Sequence, residues 1–288
     1  MNSLIDHETR GICNKPGRVE NLYFCLRATI ITAITIFVAH HLSCLLHEWT
    51  HDTVAWLFGY KKGPFDIYYG DWTLLHVDED VDYKRILSDG RDGVMSLIAI
   101  APIILGGVLL LIGVALTRLQ QIQRLRLLWY FLFWFMVSNL GQVLDYIPIR
   151  TFVTYSDGIL RGDIGHFVQG LHISPWAVFF PGTVFVVAGV FWLLRYELPR
   201  TYVVMGSTQT PRTVILAFAL VYLFFYFGMA GWTYSFPSRV LGLVSLTLIP
   251  VFFIICFPTR DWVKQKVAFF ERRPGWPDRA MKQEDIAS

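Results

Sequence analysis

The chain has 288 residues, of which 54% are hydrophobic and 16% charged, with a net charge of +3 and a mean hydropathy of +0.46. A soluble globule of this length cannot keep so much apolar surface dry, and so small a positive excess does not describe a nucleic-acid binder. Composition alone predicts an all-α, polytopic membrane protein whose main partner is the lipid bilayer.

In chain order, Met1–Glu20 is polar and lacks the apolar core and small-residue cleavage site of a signal peptide, so the first span is expected to serve as its own insertion signal. That span runs from about Ala28 through Leu46 and into His47-Glu48-Trp49-Thr50-His51. The stretch Phe58–Gly93 follows, punctuated by glycines and rich in Tyr and Phe, with the short alternating run Asp66-Ile67-Tyr68-Tyr69. It reads as a hairpin or re-entrant loop at the membrane interface, with Asp78-Glu79-Asp80 solvated. Five more windows reach the roughly 18 apolar residues that cross a bilayer: Val94–Thr117, Leu127–Leu144, Phe167–Leu194, Thr213–Pro237 and Val240–Thr259. None of the six windows holds Asp, Glu, Lys or Arg until the first reaches Glu48. Pro175, Pro181, Pro237 and Pro250 are expected to kink or end the later spans.

Most of the 25 Lys and Arg sort to one side if the chain threads alternately: the N-terminal arm, the connections around Arg118–Arg126 and Arg195–Arg212, and the tail from Arg260. Both termini are therefore expected in the cytosol. The 58–92 connection is the exception, with five basic residues, but it is long and also acidic. The division is a cytosolic arm (1–27), a membrane domain (28–259) and a basic cytosolic tail (260–288). Cys13, Cys25, Cys44 and Cys256 have no paired spacing, which argues against a disulfide framework.

The sharpest motif is His47-Glu48-Trp49-Thr50-His51. On a helix, residues four apart sit one above the other, so both imidazoles can grip one zinc ion while Glu48 reaches a water on it. At about 100° per residue, His40 and Cys44 fall on the same stripe, which must face protein or a water-filled cavity. A catalytic zinc takes three protein ligands and leaves one position open. The third is expected beyond the third span, on the face His47 reaches, where Asp145, Asp157 and Asp163 all lie.

On these residues the chain resembles the site-2 protease family of intramembrane zinc metalloproteases, over roughly residues 28–175. Asp145-Tyr146-Ile147-Pro148 has the spacing of the family's Asn-x-x-Pro, with Asp in place of Asn. Asp163-Ile164-Gly165-His166 resembles its Asp-Gly-Gly-His, with Ile164 replacing the first Gly, and the two motifs stand further apart than the family pattern. The resemblance implies hydrolysis of a peptide bond in or near a transmembrane segment of a membrane-protein or membrane-bound peptide substrate. His47, His51 and an Asp would hold one Zn2+, and Glu48 would act as general base. Asp163 is favoured because it begins a helix, whose exposed N–H groups stabilise a carboxylate there. Asp145 and Asp157 stay open. His166 shares that face as a substrate contact or a partner to a ligand. Asn139, polar inside the third span, can hold a substrate backbone or serve as interhelical glue. The site is expected toward the non-cytosolic face. Two other readings fit the histidines: a membrane di-iron desaturase or hydroxylase, drawing on His40, His41 and His172 as well, and a non-catalytic scaffold or chaperone retaining the zinc helix.

Overall fold

The computed structural model describes residues 18–71, 77–152, 155–156, 159–205 and 208–272. Helix α1 (Arg18–Leu57) is free of Gly and Pro for 40 residues, which no local signal interrupts. At ~1.5 Å per residue it spans about twice the hydrocarbon thickness of a bilayer and projects beyond it. Gly59 stops it: at a φ of 82° only a residue without Cβ sits easily, and the N–H groups of Gly59 and Tyr60 turn back onto Trp56 and Ala55.

The chain then returns through α2 (Tyr83–Ser88) into α3 (Asp92–Leu116), and a short α4 (Gln120–Arg124) leads to α5 (Arg126–Leu144). The last turn of α5 widens over Asp145–Ile149, where Pro148 removes an amide from the ladder. A two-residue ladder, β1 (Tyr155–Ser156) with β2 (Ile159–Leu160), precedes α6 (Gly162–Gly170). Then come α7 (Trp176–Trp192), continuous through a wide turn with α8 (Leu198–Met205), α9 (Gln209–Leu220) extended by a wide turn over Val221–Phe227 and a tight one over Ala230–Thr233, α10 (Phe236–Ile255) and α11 (Asp261–Glu271).

Six helical segments are long and apolar enough to cross a membrane: Asn21–Leu57, Asp92–Leu116, Arg126–Ile149, Trp176–Met205, Gln209–Thr233 and Phe236–Ile255. The protein is thus an all-α, multi-pass membrane protein. Its centre is the third span, buried along most of its length, with Trp129, Tyr130, Phe133, Trp134 and Leu140 in the core. Neighbouring helices approach it closely where they carry glycine, Gly113 opposite Met136 and Gly189 opposite Leu140. Ile30, Ile34, Ile104, Leu111, Val184, Phe191 and Ile254 stay exposed, as side chains facing lipid should. In the 58–92 connection, Tyr68 and Asp78 form one antiparallel bridge, exchanging both backbone hydrogen bonds at 2.9 and 3.0 Å.

Three expectations need correction. The window Phe167–Leu194 is not one span: α6 ends at Gly170, His172 takes a φ of 54°, and Pro175 opens α7. The membrane helix instead runs on to Met205, carrying Arg195, Glu197 and Arg200, and Glu197 is paired with Arg118 at 2.6 Å. Pro237 does not close the fifth span but opens the sixth, where a missing N–H costs nothing. Finally, Asp78-Glu79-Asp80 is not simply solvated, because Glu79 turns into the site.

Candidate metal centre

The site forms where the C-terminal half of α1 meets α3, the last turn of α5 and the start of α6. His47 and His51, one helical turn apart, are 4% and 1% exposed, and each directs Nε2 at the same oxygen, Oδ2 of Asp163. The distances are 3.0 and 3.3 Å. Ligand atoms sharing a tetrahedral zinc at ~2.0–2.1 Å stand about 3.3 Å apart. His47, His51 and Asp163 are a group that can hold a metal ion, their ligand atoms all lying within 4.8 Å of one another.

The environment of His51 decides which of its nitrogens carries a lone pair. Its Nδ1 lies 2.9 Å from the backbone carbonyl of Ile98, which can only accept, so Nδ1–H donates and Nε2 presents its lone pair to Asp163. That carbonyl is available because Pro102, four residues on in α3, has no N–H to occupy it. A lone pair and a carboxylate oxygen facing each other at 3.3 Å repel unless a cation or a proton lies between them. This arrangement is the usual outer support of a metal-bound histidine, and the donor set fits a divalent ion.

Asp163 stands in the first turn of α6, reached through Gly162 at a φ of 73°, a left-handed bend that favours glycine. Burial alone would raise its carboxyl; a proton on His51, the alternative to a cation between the two groups, would instead pull it below the ordinary carboxylate range. Helix α6 is seated on α3 by Gly170, where any side chain would strike the Asp92 carbonyl and Ser96, and by the Ser96 hydroxyl donating to the Phe167 carbonyl at 3.0 Å.

The other predicted residues fall in different places. Glu48 lies beside the group, with its carboxylate, His51 and Glu79 forming a second set of ligand atoms within 4.8 Å of one another. His166 does not join the ligands; its ring stacks on Tyr83 at 3.8 Å, and burial lowers the imidazole so that it is neutral. Asn139 is fully buried and donates to the Phe135 carbonyl of its own helix at 2.7 Å. Asp145 is committed to Arg150 at 2.8 Å, and Asp157 lies outside the described residues. The histidine stripe does face protein: His40 is hydrogen-bonded to Tyr222 and Tyr226 at 2.9 and 3.0 Å, and Cys44 sits 3.5 Å from His40.

Sequence reasoning missed four contributors. Tyr146 stacks flat on His47, ring centroids 4.9 Å apart, and Arg150 lies over the ring of that tyrosine at 4.6 Å. Tyr83 places its hydroxyl 3.5 Å from His51 Nδ1, and burial pushes that phenol well above its ordinary range, so it stays protonated. Glu79 is the fourth. Only Pro102 left a legible signal for the site, through the carbonyl it frees at Ile98.

Fold and site together define a multi-pass helical membrane protein with a buried two-histidine, one-carboxylate group suited to a metal ion. No protein-family model, no curated protein and no solved structure matches the chain.

Proposed function

We propose that this protein is an intramembrane zinc metalloprotease that hydrolyses a peptide bond in or near a transmembrane segment, with its termini in the cytosol and its site toward the opposite face. The observation that carries the reading is the convergence of two imidazole Nε2 atoms on one Asp163 oxygen, with the tautomer of His51 fixed by Ile98 and Glu48 adjacent.

His47, His51 and Asp163 would hold the ion. Bound zinc supplies Lewis acidity, bringing water to a pKa of about 7 and polarising a carbonyl. Glu48 receives the proton that the attacking water loses and returns it to the leaving nitrogen, so one carboxylate serves as base and then as acid. A helical substrate hides its carbonyls in its own hydrogen bonds, so it must unwind to reach the site. Because Tyr68 spends its N–H and C=O on Asp78, the alternation of a strand aims those of Ile67 and Tyr69 the other way, where an unwound substrate can pair. The histidines that a two-metal oxidase would need do not gather here: His41 bonds to the Phe37 carbonyl and His172 to Asp92, while His40 is held by two tyrosines.

The test is metal analysis of purified protein with a cleavage assay on a transmembrane reporter. One zinc per chain, with Glu48→Gln keeping the metal and losing cleavage by roughly 10²–10⁴-fold, is expected. Absence of stoichiometric metal, or full cleavage by that variant, would overturn the assignment.

A further inference from the structure

A zinc site that hydrolyses peptides keeps one coordination position open, and Glu48 must face it. In this protein a second acid stands beside Glu48 and His51, next to the His47–His51–Asp163 group but not within it. Glu79 comes from the connection between α1 and α2, and its carboxylate lies within 4.8 Å of ligand atoms of both Glu48 and His51. Its position is held from three directions. The Tyr68–Asp78 bridge fixes the residue before it. The next residue, Asp80, takes a φ of 48°, costly for a residue with a Cβ, and its N–H is tied to the Asp78 carboxylate at 2.7 Å. The third hold is Lys61. Its Nζ reaches the Glu79 carbonyl at 2.9 Å, the Asp80 carbonyl at 3.4 Å and the Asp52 carboxylate at 3.1 Å. The first two contacts are hydrogen bonds and the third is an ion pair. The Lys61 side chain is only 8% exposed and Asp52 not at all, so this pair is a buried fastener and not a loose surface contact.

We propose that Glu79 is a displaceable ligand that closes the open position of the metal centre in the resting protein, and that the Asp52–Lys61 pair latches it there. The inference rests on the metal centre proposed above. A substrate strand arriving at the Ile67–Tyr69 edge pulls on the segment that carries Glu79, because Tyr68 and Asp78 are bonded to each other. Docking and opening are thereby one motion. No covalent step is involved; one carboxylate oxygen leaves the ion and the incoming ligand takes its place.

The experiment uses the full chain in detergent, loaded with Co2+, and reads the visible spectrum and the affinity for imidazole. At about pH 8.5 that probe is mostly neutral, so removing a nearby negative charge does not by itself tighten it. Glu79→Gln is expected to bind Co2+ stoichiometrically, to show a changed spectrum before any probe is added, and to take imidazole at least tenfold more tightly. A tenfold gain corresponds to a site that is closed roughly 90% of the time. The double variant Lys61→Met, Asp52→Asn, which removes both partners and so strands neither charge, is expected to give the same gain with Glu79 intact. Superimposable spectra and unchanged imidazole affinity in Glu79→Gln would overturn the proposal while leaving the metal centre standing. Loss of Co2+ from that variant alone would make Glu79 an obligatory ligand, which also overturns it. A Glu79→Gln gain without one in the double variant would overturn the latch. Failure of the unaltered protein to take up Co2+ at all would overturn both the centre and its closure.

Discussion

Replacing Pro102 by alanine tests the tautomer reasoning at a residue that touches no ligand. Alanine restores an N–H four residues after Ile98, and a helix interior directs that N–H at the Ile98 carbonyl. This carbonyl now accepts from His51 Nδ1 at 2.9 Å. A carbonyl has two lone pairs, so the new bond weakens the old one without abolishing it. Loss of a hydrogen bond behind a metal-bound histidine costs about 10- to 100-fold in metal affinity, or roughly 1.4–2.8 kcal/mol, and shared acceptance puts Pro102→Ala near the lower figure. The helix itself gains, since proline in a helix interior is worth up to ~3 kcal/mol less than alanine, though less inside a membrane bundle. The variant is therefore expected to bind Zn2+ about tenfold more weakly in a competition titration with a chromophoric chelator, while its metal-free form melts no lower than the parent. Zinc affinity within twofold of the parent would refute the idea that the freed carbonyl sets the histidine.

Asp163→Ala should abolish stoichiometric metal, whereas Asp145→Ala should keep it and instead destabilise the fold by roughly 3 kcal/mol, because Arg150 loses its acid partner; metal analysis and thermal melts distinguish the two, and the opposite pattern would exchange their roles. Gly170→Val should weaken metal binding without touching a ligand, since a side chain there pushes α6 from Asp92 and Ser96 and carries Asp163 with it; unchanged affinity would show that α6 is not seated by that contact. Chelation of the metal should lower the melting temperature, a site held at 100 times its Kd contributing about 2.7 kcal/mol, and coincident melts with and without chelator would argue against occupancy.

The membrane fold was legible because burial in lipid writes itself into composition: a span must be apolar over its full length, and four of the six windows match helices to within about five residues at each end, while the first helix overruns its window on both sides. The exception, Phe167–Leu194, shows what hydropathy averages away. Phe167, Val168 and Leu171 are apolar enough to extend the window, but Gly170, His172 and Pro175 set the backbone, and the helix restarts after them. At the other end of that span Arg195 and Glu197 ended the apolar run without ending the helix, since Arg118 neutralises Glu197 from a neighbouring element. The His47 and His51 pair is legible because it is local, four residues on one helix. Asp163 could be narrowed only to one of three acids, and the contact with Arg150 that occupies Asp145 depends on the wide turn at Pro148. Glu79 had no signal at all: an acid between two acids in a connecting segment reads as solvated, and the lysine that donates to its carbonyl is eighteen residues away in sequence.

Charge balance gives a separate reason why this group of side chains favours a cation. Glu48, Glu79 and Asp163 bring three carboxylates together around His51. The nearby fixed cations do not offset them, because Lys61 faces Asp52 and Arg150 faces Asp145, one for one. Three ionised carboxylates in so small a volume cost several kcal/mol each by desolvation, before their mutual repulsion is counted. A divalent ion between the imidazoles and Asp163 offsets two of these three charges and removes the repulsion between the Asp163 carboxylate and the lone pair on His51.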